Sequence, residues 1–231
     1  MKKSDVETLL SYIKRVFNIL LDFIWPQFCL SCKKEGSLCC AFCLNDIILD
    51  DIEIITWPKQ EIYFDACYTC CNYQDKLVQK LIKNYKYNYL ENLANLLTDI
   101  LERQARRLAL NKNTIIVNIP LHKTKKRKRG FDQTEILAKK LAKRLAKEYY
   151  PLLLRTKDNK AQAKLDKISR EKNVKNIFKV NKKILSKLAD NTNILLIDDV
   201  TTTGATLNQA AKVLKENKFN NIICLVLAKN I

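Results

Sequence analysis

A chain of 231 residues with 47% hydrophobic side chains has the apolar mass for one domain with an appendage or for two small ones. Its 42 basic against 24 acidic side chains leave a net charge of +18, which calls for an anionic partner such as a nucleotide, a nucleic acid or a membrane surface, or else is solvated surface in a lysine-rich chain. No stretch approaches the ~20 apolar residues of a spanning helix, and Asp5, Glu7, Lys14, Arg15 and Asp22 interrupt the apolar N-terminus, so a transmembrane segment and a secretory signal are both excluded and a cytoplasmic location is expected.

Leu9, Ile13, Phe17, Leu20 and Ile24 fall on one face of an N-terminal amphipathic helix that packs on the protein, on a partner or on a membrane surface. Two C-x-x-C pairs follow in "CLSCKKEGSLCCAFC", Cys29/Cys32 and Cys40/Cys43, with Cys39 beside the second pair. Each C-x-x-C half turns both sulfurs to one side, so four thiolates can surround Zn²⁺ in a compact knuckle, with Cys39 or Cys40 as the third ligand. In a reducing compartment such clusters speak for metal over disulfides. A second cluster, Cys67, Cys70 and Cys71 in "EIYFDACYTCCNY", sits in a strand and reads as small hydrophobes.

A helix is expected over 77–108, then a β-branched strand over Thr114–Ile119 and Pro120. Next comes "KTKKRKRG", with Lys123, Lys125, Lys126, Arg127, Lys128 and Arg129 crowded into eight residues. Their mutual repulsion predicts a mobile basic loop that orders on an anion, with His122 as a polar loop residue. An amphipathic helix begins at about Thr134, and "LLIDDVTTTGAT" (195–206) reads as a buried strand, a turn over Thr201–Thr206 and a helix. A final strand is expected over 222–228.

Glycine averages about 7% of residues, roughly 16 for this length, yet only Gly36, Gly130 and Gly204 occur. A chain this sparing should keep glycine where positive φ or a close backbone approach demands it. Gly204 falls where a strand passes into a helix, the arrangement that presents backbone N–H groups and hydroxyls to a phosphate.

"LLIDDVTTTGAT" resembles the phosphoribosyl pyrophosphate (PRPP) signature of type I phosphoribosyltransferases: an apolar strand, two acids and T-T-G-x-T. Taken with the double C-x-x-C start, "LIKNYKY" (81–87), "IPLHKTKKRKRGFDQ" (119–133) and "RTKDNKAQAKLDKISREKNV" (155–174), nearly the whole chain resembles the ComF family of competence-associated, phosphoribosyltransferase-like proteins. Asp132 stands where that family usually has asparagine.

The resemblance implies an α/β chain with a type I phosphoribosyltransferase fold, a parallel sheet flanked by helices, over 58–231. A small zinc-binding module over 1–57 holds Zn²⁺ through Cys29, Cys32, Cys43 and Cys40 or Cys39. It implies that Asp198 and Asp199 bind the ribose hydroxyls and act in catalysis. Val200, Thr201, Thr202, Thr203, Gly204, Ala205 and Thr206 complete the PRPP site, with Mg²⁺ accompanying PRPP. Pro120 and the six basic residues of 123–129 lie on the pyrophosphate side and offer a path for single-stranded DNA. The implied role is DNA uptake in natural transformation, with other competence or helicase proteins as candidate partners. The alternative is an active transferase moving phosphoribosyl from PRPP to an acceptor with release of pyrophosphate.

Overall fold

The computed structural model describes residues 26–47, 61–87, 91–157, 177–189 and 191–230. The expected N-terminal helix, the 57/58 domain boundary and most of the 155–174 stretch lie outside them. The chain divides into two compact units, Met1–Ile47 and Ile48–Ile231. Among the described residues no helix is long and apolar enough to cross a membrane.

In the first unit, a turn around Cys29–Lys34 leads to the one-turn helix α1 (Ala41–Asn45). The second unit is built on β1 (Ala66–Asn72), β2 (Thr114–Asn118), β5 (Asn193–Thr201) and β6 (Ile222–Lys229), joined in the order β1-β6-β5-β2 with every pair parallel. Ile194, Leu195, Leu196 and Ile197 are all buried in β5, the continuous apolar run of a strand covered on both faces. α7 (Ala205–Glu216) packs Leu207, Ala210, Ala211 and Leu214 into one apolar core with Ile194, Leu196, Cys224 and Val226. α3 (Glu91–Ala105) and α5 (Gln133–Arg144) pack on each other and on the sheet. A two-stranded antiparallel ribbon, β3 (Leu153–Arg155) with β4 (Phe178–Val180), adds Leu153 and Phe178 to the α7 core, and the short α6 (Lys182–Leu185) follows it.

Where one helix is expected over 77–108, two form: α2 (Lys76–Tyr87) and α3. The apolar spacing runs on from Tyr85 to Leu93, so the sequence does not separate the two. The last described residues of α2 are held by long-range partners, described below. Cys67, Cys70 and Cys71 are buried in β1, as small hydrophobes should be.

The basic segment departs further from expectation. Lys123–Arg129 is a seven-residue helix, α4. Its first turn is capped by His122, whose Nδ1 accepts from the Thr124 N–H at 3.3 Å, and its end by Gly130 at φ +84. Lysine and arginine are good helix formers, and cations in a last turn face the negative end of the helix dipole. Those local gains, with the two caps, overcome the repulsion. Lys126 also pairs with Glu135 at 2.8 Å.

Candidate functional site

β5 carries Asp198 and Asp199 toward its carboxyl end, and the chain then turns through Thr202, Thr203 and Gly204 into α7. Gly204 sits at φ +69 in the left-handed region, where a side chain is strained. Its carbonyl accepts the first helical bond, from Asn208 N–H at 2.8 Å. A glycine cap brings no side-chain oxygen to the first turn, and Thr202 and Thr203 are exposed beside it. N–H groups and hydroxyls at the head of a twelve-residue helix are suited to an anion.

Adjacent strand residues point to opposite faces, and the two aspartates are treated differently. Asp199 is buried. Its Oδ1 accepts from the Val200 N–H at 2.6 Å, and its Oδ2 takes Gln133 Nε2 at 2.8 Å and the Lys86 ammonium at 3.0 Å. Asp198 is half-buried, with Oδ1 accepting from the Asp199 N–H at 2.8 Å. Desolvation first, then repulsion from Asp199, pushes the Asp198 carboxyl up to about 8, against the pull of that N–H and of Lys86 and Arg155.

The stretch from β2 to α5 is stitched at its base. Asp132 Oδ2 accepts from the Leu121 N–H at 2.8 Å, while Oδ1 caps α5 through the Glu135 N–H at 3.2 Å. Thr134 Oγ1 bonds the Ile119 carbonyl at 2.6 Å. Above this closure, Arg129 donates to Gln133 Oε1 and lies over the Tyr87 ring at 5.9 Å. Lys123, Arg127 and Lys128 are exposed and have no acidic partner among the described residues. A pocket of about 560 Å³ opens beside α4, lined by Pro120, His122, Asp132, Tyr149 and Arg155 among others.

Several cations of α5 and the turn after it are already paired with groups of the chain at its surface. Lys139 pairs with Glu135, Arg144 with Asp99 and Glu102, and Lys147 donates to the Asn111 carbonyl. Tyr85 is wholly buried and so cannot stack on a base, whereas Tyr87 is exposed and Tyr89 lies outside the described residues.

In the first unit, Sγ atoms of Cys29, Cys32, Cys40 and Cys43 lie within 4.8 Å of one another. Cys32 and Cys40 are 3.6 Å apart, against the about 3.8 Å that tetrahedral Zn–S bonds of about 2.3 Å would give. Cys39 turns away to the Cys40 carbonyl. Burial raises the Cys29 thiol, but the backbone N–H groups of Cys40, Cys32 and Ser31 outweigh it and bring Cys29 down to about 6; burial and its sulfur neighbours push Cys43 up to about 12. One ready thiolate crowded by three sulfurs is a donor set that fits a structural zinc.

The family profile described as "Phosphoribosyl transferase domain" matches residues 132–231. Competence protein F of Haemophilus influenzae is 27% identical over 195 residues, 81% of this chain and 84% of that protein. Competence protein ComFC of Bacillus subtilis is 37% identical over 106 residues, 46% of this chain and 40% of that one. Over most of its length the chain is similar to competence proteins of the ComF type, and residues 132–231 match a phosphoribosyl transferase domain. The fold that carries this likeness is a parallel sheet flanked by helices, with a four-cysteine cluster in the N-terminal unit. DNA utilization protein YhgH of Escherichia coli is 27% identical over 142 residues, 59% of this chain and 60% of that protein.

Lys86 and Gln133 are the members of this site that sequence reasoning missed. Both lie in stretches that carry the resemblance, "LIKNYKY" and "RGFDQ", but neither has a local pattern that assigns it a role.

Proposed function

We propose that this protein binds PRPP at the Asp198–Gly204 turn and handles single-stranded DNA along α4, in DNA uptake during natural transformation. The single observation that carries the PRPP reading is the pairing, on one strand end, of two carboxylates with a glycine-capped helix N-terminus. Asp198 and Asp199 accept the ribose hydroxyls. Thr202, Thr203, Thr206 and the N–H groups around Gly204 and Ala205 hold the 5-phosphate. Pro120 and α4 face the diphosphate. Mg²⁺ arriving on that diphosphate would neutralise its charge.

The DNA reading draws on the exposed Lys123, Arg127 and Lys128, on Tyr87, and on the names of the relatives, two of them competence proteins and one a DNA utilization protein. The nine cysteines, none of them in a disulfide, fit a cytoplasmic location, with Cys29, Cys32, Cys40 and Cys43 holding Zn²⁺. Calorimetric titration of the full chain with PRPP, with and without Mg²⁺, tests the first reading: Mg²⁺-dependent binding is expected, and no heat in either condition overturns it.

A second reading, an active phosphoribosyltransferase, is favoured by the 560 Å³ pocket beside α4, which could admit an acceptor. Carboxylates beside the sugar would stabilise its growing positive charge, and cations the departing pyrophosphate. Pyrophosphate release against a panel of acceptors distinguishes the two readings.

A further inference from the structure

Three consecutive residues at the end of α2 grip three different parts of the site. The Tyr85 hydroxyl donates to the Gln133 carbonyl at 3.0 Å, the Lys86 ammonium pairs with Asp199 at 3.0 Å, and the Tyr87 ring lies beneath the Arg129 guanidinium. Tyr85 is buried and also meets Phe131, with ring centres 5.9 Å apart. The helix end is therefore held firmly, and Lys86 projects from a fixed point.

An ionised carboxylate offers about four acceptor directions. On Asp199 three are taken, by Val200 N–H, Gln133 Nε2 and Lys86 Nζ. The three partners are not equivalent. The Val200 N–H is backbone, and Gln133 is buried and tied on its far side to Arg129. Lys86 is a single charge on a flexible four-carbon stem, with 22% of its side chain exposed. When a hydroxylated sugar approaches Asp199, Lys86 is the partner that can leave while the other two keep the carboxylate oriented. It leaves only if a second anion is within reach, and a sugar diphosphate brings one.

We propose that Lys86 is an exchange residue: it neutralises Asp199 while the site is empty and passes to the diphosphate of the incoming ligand, as Asp199 turns its vacated lone pair to a ribose hydroxyl. This inference rests on the reading of the turn as a PRPP site and adds to it a residue selecting sugar diphosphates over sugar monophosphates. The exchange keeps the ammonium paired with an anion throughout, while Asp199 trades its cation for a ribose hydroxyl and keeps the Gln133 and Val200 donors. Gln133 acts beside it as a positioning residue.

The test compares PRPP with ribose 5-phosphate, both with Mg²⁺, on the full chain and its Lys86→Met, Lys86→Gln and Lys86→Arg variants. A lost charge-assisted hydrogen bond predicts PRPP weakened by about 10- to 100-fold in Lys86→Met, with ribose 5-phosphate changed by less than about threefold. Lys86→Arg should restore most of the preference. Lys86→Gln keeps a donor to Asp199 without the charge, so it should fold as the parent does and still lose the preference, even should the methionine variant misfold. Equal weakening of both ligands reduces Lys86 to an anchor for Asp199 and overturns the inference, as does an unchanged PRPP affinity in the glutamine variant. If the parent binds neither ligand, the PRPP reading itself falls, and the exchange with it.

Discussion

Gln133, the first residue of α5, donates its amide to the carboxylate of Asp199 at 2.8 Å, across 66 residues of sequence. The bond joins the helix that follows the basic segment to the strand that carries the acid pair. Gln133→Ala removes one of the three partners of a buried carboxylate, which should cost about 1–3 kcal/mol of stability and weaken PRPP by about tenfold through a misplaced Asp199. Thermal melting and calorimetry on the same sample check both effects.

Gly204→Val should leave the chain folded and abolish PRPP binding. A β-branched residue at φ +69 is strained by roughly 1–2 kcal/mol, and its methyl groups would stand where a phosphate must approach backbone N–H groups. Gly204→Ala should fall between parent and valine in affinity. Unchanged affinity in a folded valine variant contradicts the assignment of the turn.

The raised Asp198 carboxyl gives stability a pH dependence of known sign. Unfolded, the group ionises near 3.8; folded, near 8. Between those values the native state holds a proton the unfolded chain has released, so stability falls as pH rises. Asp198→Asn removes that term. It should melt higher than the parent at pH 8, with the gap closing toward pH 4. A gap that stays constant with pH shows the carboxyl is not perturbed.

Protein prepared without chelator should contain about one zinc per chain. Replacing Cys29 and Cys32 together with alanine should abolish it, whereas Cys39→Ala should keep it, since Cys39 faces the Cys40 carbonyl. Metal analysis of the three proteins decides, and a zinc loss in Cys39→Ala would transfer the third ligand to that residue.

Single-stranded DNA should bind with a steep salt dependence. Neutralising the exposed Lys123, Arg127 and Lys128 should reduce the slope of log affinity against log salt by about 2, at about 0.7 per phosphate contact. Tyr87→Ala should weaken binding by about 1–3 kcal/mol through lost stacking. Neutralising Lys139, Arg144 and Lys147, which are paired with other groups of the chain, should lower stability more than affinity. Fluorescence anisotropy across a salt series reads the affinities, and thermal melting reads the stability.

The strand ends, the threonine turn and the cysteine pairs are legible in sequence because each has a short-range signature: an apolar run meeting acids, a glycine in a chain with three, cysteines three residues apart. The fate of the basic segment is not, since charge density argues for a loop while the decisive groups are an unusual histidine cap and a partner, Glu135, on the next helix. Lys86 is illegible for the same reason. Nothing near "NYKY" shows that its ammonium meets a carboxylate on β5.

The closure made by Asp132 and Thr134 has an evolutionary side. With Leu121 and Ile119 tied to the start of α5, the intervening residues form a cassette whose two ends meet, so a change of length or charge inside it need not be transmitted to β2 or α5. Descendants could trade lysines there, adding or shedding polyanion affinity step by step, while the acid pair on β5 stays in register. Variation among relatives should then fall mainly on the basic positions Lys123–Lys128, while whatever stands at 132 and 134 keeps an acceptor for the Leu121 N–H and a donor for the Ile119 carbonyl.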